Sequence, residues 1–82
     1  MRISGASFGN AALYVYGGQA GHPPPHVHLR GPDSRCTIDL ATLEVTRGAA
    51  HRRDLRQARA WLSDPHNLAR VLNEWRRLNE RG

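Results

Sequence analysis

The chemistry of this chain is concentrated in one short segment, His22-Pro23-Pro24-Pro25-His26-Val27-His28, which holds three of the five histidines. His26 and His28 are two residues apart, so in an extended strand they project from one face, roughly 6–7 Å apart at Cα. Two imidazoles so placed serve three chemistries: metal coordination, acid–base catalysis, and recognition of phosphate or carboxylate. A metal would need a third ligand, either His22 or Asp39. Three consecutive prolines favour a polyproline II path, about 3.1 Å per residue, which holds His22 roughly 12 Å from His26 and leaves Asp39 as the alternative. Acid–base chemistry would use His26 as general base oriented by Asp39 and His28 as acid, with Arg30 and Arg35 on a phosphate, a set suited to cleaving a phosphodiester. The remaining readings are a binding surface without catalysis, and a merely solvated strand face whose prolines shape the approach to the strand.

Those side chains need a sheet to hold them. His26 to Arg30 alternates strictly, Val27 and Leu29 on one side and His26, His28 and Arg30 on the other. Gly31-Pro32-Asp33-Ser34 supplies turn chemistry, and Arg35 to Leu40 resumes the alternation with Cys36, Ile38 and Leu40 inward. A hairpin closed by those four residues sets Arg30 against Arg35, His28 against Thr37 and His26 against Asp39, with Leu29 on Cys36 and Val27 on Ile38. Both faces are then chemically consistent, and a slip of one residue would drive histidines into the core.

Upstream, Ile3 to Phe8 and Ala12 to Tyr16 read as strands about a Gly9-Asn10 turn, with Tyr14 and Tyr16 opposite Leu13 and Val15. These tyrosines either pack under helices or border the histidine face. Gly17 to Pro25 is a loop, and Leu43 to Thr46 a short edge strand ending before Gly48. Two helices follow. Arg52 to Leu62 turns Leu55, Ala58, Trp61 and Leu62 inward; Asp64-Pro65 caps a second helix whose Leu68, Val71, Leu72, Trp75 and Leu78 form an apolar stripe, with Arg70, Asn73, Glu74, Arg77 and Arg81 outward. The expected fold is α+β: an antiparallel β-meander of three to five short strands, then two C-terminal α-helices packed on one face. It forms a single domain over residues 1–82, with a sheet portion at 1–47 and a helical portion at 51–81.

Composition narrows the function. All 12 cationic side chains are arginine and the formal net charge is +5, a balance that favours a polyanion or an acidic protein partner, or reflects only a solvated basic surface. Arg52, Arg56 and Arg59 recur at helical spacing as a basic stripe, with Arg53 adjacent. No glycine-rich phosphate loop, zinc-finger spacing or complete helix-turn-helix signature accompanies them, and no cofactor is implied. Cys36 is the only cysteine, which excludes an internal disulfide and a cysteine-built zinc site, and reads as a small inward hydrophobe. His51 belongs to the start of the first helix and His66 to the first turn of the second; both tryptophans are core residues. The absence of a targeting pattern or a membrane-length apolar run points to the cytoplasm, and the small core makes a second copy or another partner a natural supplement.

The run Pro24-Pro25-His26-Val27-His28, preceded by a tyrosine-rich strand and followed by an Arg/Asp-rich hairpin and a helix reaching Glu74-Trp75, resembles a family of small bacterial proteins known as domain of unknown function 4160. The resemblance covers nearly the whole chain. It implies shared roles for Pro24, Pro25, His26 and His28 and a structural Trp75. It also implies a genetic setting beside another small protein, in arrangements like toxin–antitoxin pairs, and hence a protein partner. This chain departs from the pattern in its third proline, in His22 and in having no lysine. The leading expectation is a toxin–antitoxin-like accessory protein that binds RNA, DNA or an acidic partner through the histidine face and the arginine stripe. The alternatives are a small ribonuclease-type toxin using His26 and His28, and a metal-binding domain using that pair.

Overall fold

The computed structural model describes residues 1–17 and 24–79. His22 and Pro23 of the histidine segment, and Arg81, lie outside the described residues. Five strands run in chain order, β1 (Arg2–Phe8), β2 (Ala11–Tyr14), β3 (His26–Gly31), β4 (Ser34–Asp39) and β5 (Val45–Ala49), followed by α1 (Arg52–Leu62) and α2 (Pro65–Asn79). They form one antiparallel sheet in the order β1-β2-β3-β4-β5. The expected meander followed by two helices is the observed architecture.

Strand alternation decides which face the helices cover. Leu13, Val15, Val27, Leu29, Cys36 and Ile38 point to one side and share a core with Ala58 and Leu62 of α1 and Val71 and Trp75 of α2. Leu55, Trp61, Leu68, Leu72 and Leu78 are half-buried at its margin, as the helical spacing predicts. The β3–β4 register matches the expected pairing throughout, from Arg30 opposite Arg35 to His26 opposite Asp39. Gly31 pairs with Ser34, so the turn itself is only Pro32-Asp33. At the other hairpin Gly9 has φ +61° and Asn10 a negative φ, the signature of a type II′ turn.

Two bulges break the period of two, and a reading by strict alternation misses both. Between Arg2 and Ser7 the β1 register shifts around Gly5, φ +81°, which is why Ile3, Ala6 and Phe8 are the buried positions. The edge strand expected at Leu43–Thr46 instead begins at Val45 and runs through Gly48. Thr37 pairs with Arg47 and Ile38 with Val45, leaving Thr46 as the extra residue. Gly48 does not end the strand but makes it fit: its φ is +77°, and a Cβ there would lie 2.1 Å from the Arg35 carbonyl oxygen.

Side-chain hydrogen bonds fasten the helices to the sheet. Ser34 Oγ donates to the buried Asp54 Oδ2 at 2.6 Å and accepts from the His51 amide at 2.9 Å, tying the hairpin tip to α1. His51 caps α1, its Nδ1 accepting from the Arg53 amide, and Asp64 Oδ1 caps α2 by accepting from His66 N at 2.8 Å. Asn79 Nδ2 donates to the carbonyls of Trp75 and Tyr16, joining the last turn of α2 to the segment just after β2. No helix among the described residues is long and apolar enough to cross a membrane.

The close approach at Gly48 yields a direct expectation. Gly48→Ala combines a disfavoured φ with a backbone clash and should lower unfolding free energy by about 1–3 kcal/mol or more, read as a lower urea midpoint at unchanged slope. A variant as stable as the wild type would show that β5 does not approach β4 in this way.

Candidate functional site

The sheet face turned away from the helices carries the histidines. One cross-strand row reads Arg2, Tyr14, His28, Thr37 and Arg47, and the next reads Ala12, Arg30, Arg35 and Ala49. Within β2, β3 and β4 alternation puts them there, because their neighbours Leu13, Leu29, Cys36 and Ile38 are committed to the core.

Four rings form a continuous run along this face. Tyr14 and Tyr16 stack with centroids 6.2 Å apart and planes 5° from parallel. Tyr16 meets His28 edge-on at 4.9 Å, and His28 meets His26 edge-on at 5.1 Å. The open question about the tyrosines is thereby answered: they border the histidines. The guanidinium of Arg30 lies 5.2 Å from the Tyr16 ring centroid, within cation–π range. Asn79 holds the Tyr16 carbonyl at 3.1 Å, so α2 helps to place the ring from behind.

His26 is oriented by its own approach loop, with Nδ1 2.8 Å from the Pro24 carbonyl oxygen. In the neutral ring Nδ1–H must then donate, which leaves the lone pair on Nε2. Asp39 lies opposite His26 in register, and its Oδ1 accepts from the amides of Ala41 at 2.7 Å and Thr42 at 3.2 Å, so this carboxylate shapes the β4–β5 turn. His28 Nε2 is buried. Among the described residues no group of three His, Cys, Asp or Glu side chains is placed to hold a metal ion, so His26, His28 and Asp39 do not form such a set. The other expected third ligand, His22, lies outside the described residues.

A depression of about 260 Å³ opens beside His28, lined by Arg30, Arg35, Thr37, Arg47 and Gly48. Its charge is unbalanced. Arg30 and Arg35 face each other directly across the hairpin, an arrangement that destabilises a sheet. Among the described residues the ion pairs are Arg53–Asp54 and Arg77–Glu74, and neither relieves this cluster. Arg47 lies beyond the strand expected at Leu43–Thr46; the bulge at Thr46 and the continuation of β5 past it put Arg47 opposite Thr37.

The helical arginine stripe is elsewhere. Arg52 and Arg56 are exposed on α1, in the layer on the opposite side of the sheet from the histidines. Arg59 is half-buried, and its Nε donates to the carbonyl of Leu43 at 2.7 Å. Leu43 has φ +61°, a left-handed conformation for a bulky residue. The histidine face and the stripe therefore cannot grip one small ligand together.

The chain matches the family model "Domain of unknown function (DUF4160)" over residues 12–76, from β2 into the last turns of α2. It belongs to the DUF4160 family. No curated protein and no solved structure matches it. The span matched by DUF4160 includes Tyr14, Tyr16, both strand histidines and the three arginines of the depression, together with Trp75.

Cys36 behaves as expected of an inward residue. Burial pushes its thiol above the ordinary range, opposed in part by the nearby Arg59 guanidinium. A raised folded value favours the thiol in the native state. That contribution to stability is complete below the unfolded thiol value of about 8.5 and is lost as pH rises through the folded one. Thiol reagents should label the native protein far more slowly than unfolded chain, and stability should decline in alkaline buffer less in Cys36→Ala than in the wild type.

Proposed function

We propose that this DUF4160 protein is a cytoplasmic nucleic-acid-binding accessory protein of a toxin–antitoxin-like pair, and that its ligand is single-stranded and lies on the sheet face opposite the helices. One observation carries this reading: the run of four rings, Tyr14, Tyr16, His28 and His26, continuous with Arg30, Arg35 and Arg47 on one face. Rings supply sequence-tolerant stacking for bases, and arginines hold the phosphates between them. A duplex keeps its base faces hidden in the stack, so rings on a sheet favour single strands. The exposed Arg52 and Arg56, remote from this face, are left for an acidic protein partner.

Binding to a short single-stranded RNA should weaken steeply and log-linearly with salt. Tyr16→Ala should weaken it by about 1–3 kcal/mol, the usual contribution of one stacked base. Arg52→Gln with Arg56→Gln should change it little. Equal affinity in the wild type and Tyr16→Ala would remove the stacking surface from the account, and single-stranded DNA in parallel titrations establishes which nucleic acid is preferred.

A second reading is favoured by a specific geometry. His26 and His28 sit with ring centroids 5.1 Å apart beside the arginine depression, and the Pro24 carbonyl orients His26. His26 Nε2 would take the proton of a ribose 2′-hydroxyl, whose oxygen attacks the phosphorus; His28 would protonate the departing 5′-oxygen, leaving a 2′,3′-cyclic phosphate. Expression of the wild type and of His26→Ala with His28→Ala at matched levels separates the two readings. Accessory binding predicts normal growth and intact total RNA with both. Growth arrest with fragmented RNA, abolished in the double variant, would establish the nuclease.

A further inference from the structure

From the three arginines around the depression we infer a phosphomonoester site, one that takes the terminal phosphate of a nucleic-acid strand in preference to its internal diesters. The inference rests on the proposed nucleic-acid reading and gives that reading an end-recognising form.

Charge is the first argument. Arg30, Arg35 and Arg47 converge on one depression with Thr37 and His28, and among the described residues none of the three arginines is in an ion pair. An internal diester brings one negative charge, whereas a terminal phosphate brings about −1.5 to −2 at neutral pH and three acceptor oxygens. The dianion matches the guanidinium cluster better. Arginine forks also suit its oxygens, because each can give two parallel N–H bonds.

Size is the second argument. The depression, about 260 Å³ and open to solvent, has ample room for a phosphate group and its ester oxygen. The base has somewhere to go, because His28 belongs to both the depression and the ring run that continues to Tyr16 and Tyr14. A terminal nucleotide thus places its phosphate among the arginines and its base on the rings.

Energetics supplies the third. Arg30 directly opposite Arg35 is a standing repulsion in the unliganded sheet. A bound dianion reverses its sign, so the arrangement that costs stability empty becomes favourable when occupied. Arg35→Gln should therefore lose phosphate binding without losing stability, a pairing of effects that a purely structural arginine would not give.

The test is calorimetric titration of the full chain with one short single-stranded RNA in three forms: 5′-phosphorylated, 3′-phosphorylated, and hydroxyl at both ends. One phosphorylated form should bind about tenfold or more tightly than the hydroxyl form, and which one identifies the end recognised. Arg35→Gln and Arg47→Gln should each erase most of that ratio while their urea midpoints stay at or above the wild-type value. Equal binding of all three forms would overturn the inference and leave nucleic-acid binding standing. If no strand binds, the nucleic-acid reading fails, and phenyl phosphate then tests the pocket alone: binding lost in Arg47→Gln upholds the phosphomonoester site, and no binding overturns it.

Discussion

The pairing of β3 with β4 is the constraint on which the rest of this molecule depends. Six consecutive cross-strand partners, from His26 and Asp39 to Gly31 and Ser34, commit Val27, Leu29, Cys36 and Ile38 to the core. The same pairing commits His26, His28, Arg30, Arg35 and Thr37 to the other face. Because side chains alternate with a period of two, burying one set presents the other. The central hairpin is thus both the middle of the hydrophobic core and the middle of the candidate site, and neither role can be altered by shifting the strand.

Around this hairpin the neighbouring elements act mainly as positioners. β2 brings the tyrosines alongside the histidines, β5 brings Arg47, and the two helices seal the apolar side. Two glycines make the outer strands fit, Gly5 by letting β1 slip its register and Gly48 by letting β5 pass close to the Arg35 carbonyl. Polar ties do the fastening: Ser34 with Asp54 at one end and Asn79 with Tyr16 at the other.

Legibility in the sequence follows the range of the forces involved. The hairpin register, the two helix starts and the Asp64 cap of α2 are readable because each rests on local chemistry: alternation, a Pro32-Asp33 turn, and an Asp64-Pro65 start. Bulges are not, since a glycine that ends a strand and one that lets it kink look alike without knowledge of the neighbouring carbonyl. The Ser34–Asp54 bond joins residues twenty apart and leaves no periodic trace, so nothing in the sequence singles out Asp54. The arginine stripe on α1 is real as spacing, yet its layer and the Leu43 carbonyl separate it from the histidines, and layer placement is a tertiary property.

Asn79 gives the two sides of the sheet a shared mechanical element. Its Nδ2 donates to the backbone carbonyls of Trp75, whose ring is in the core beneath the sheet, and of Tyr16, whose ring is in the run above it. Displacing the Tyr16 backbone therefore means breaking its bond to the final turn of α2. The clasp thereby gives the backbone behind the ring run and the last described turn of α2 one common anchor across the thickness of the sheet.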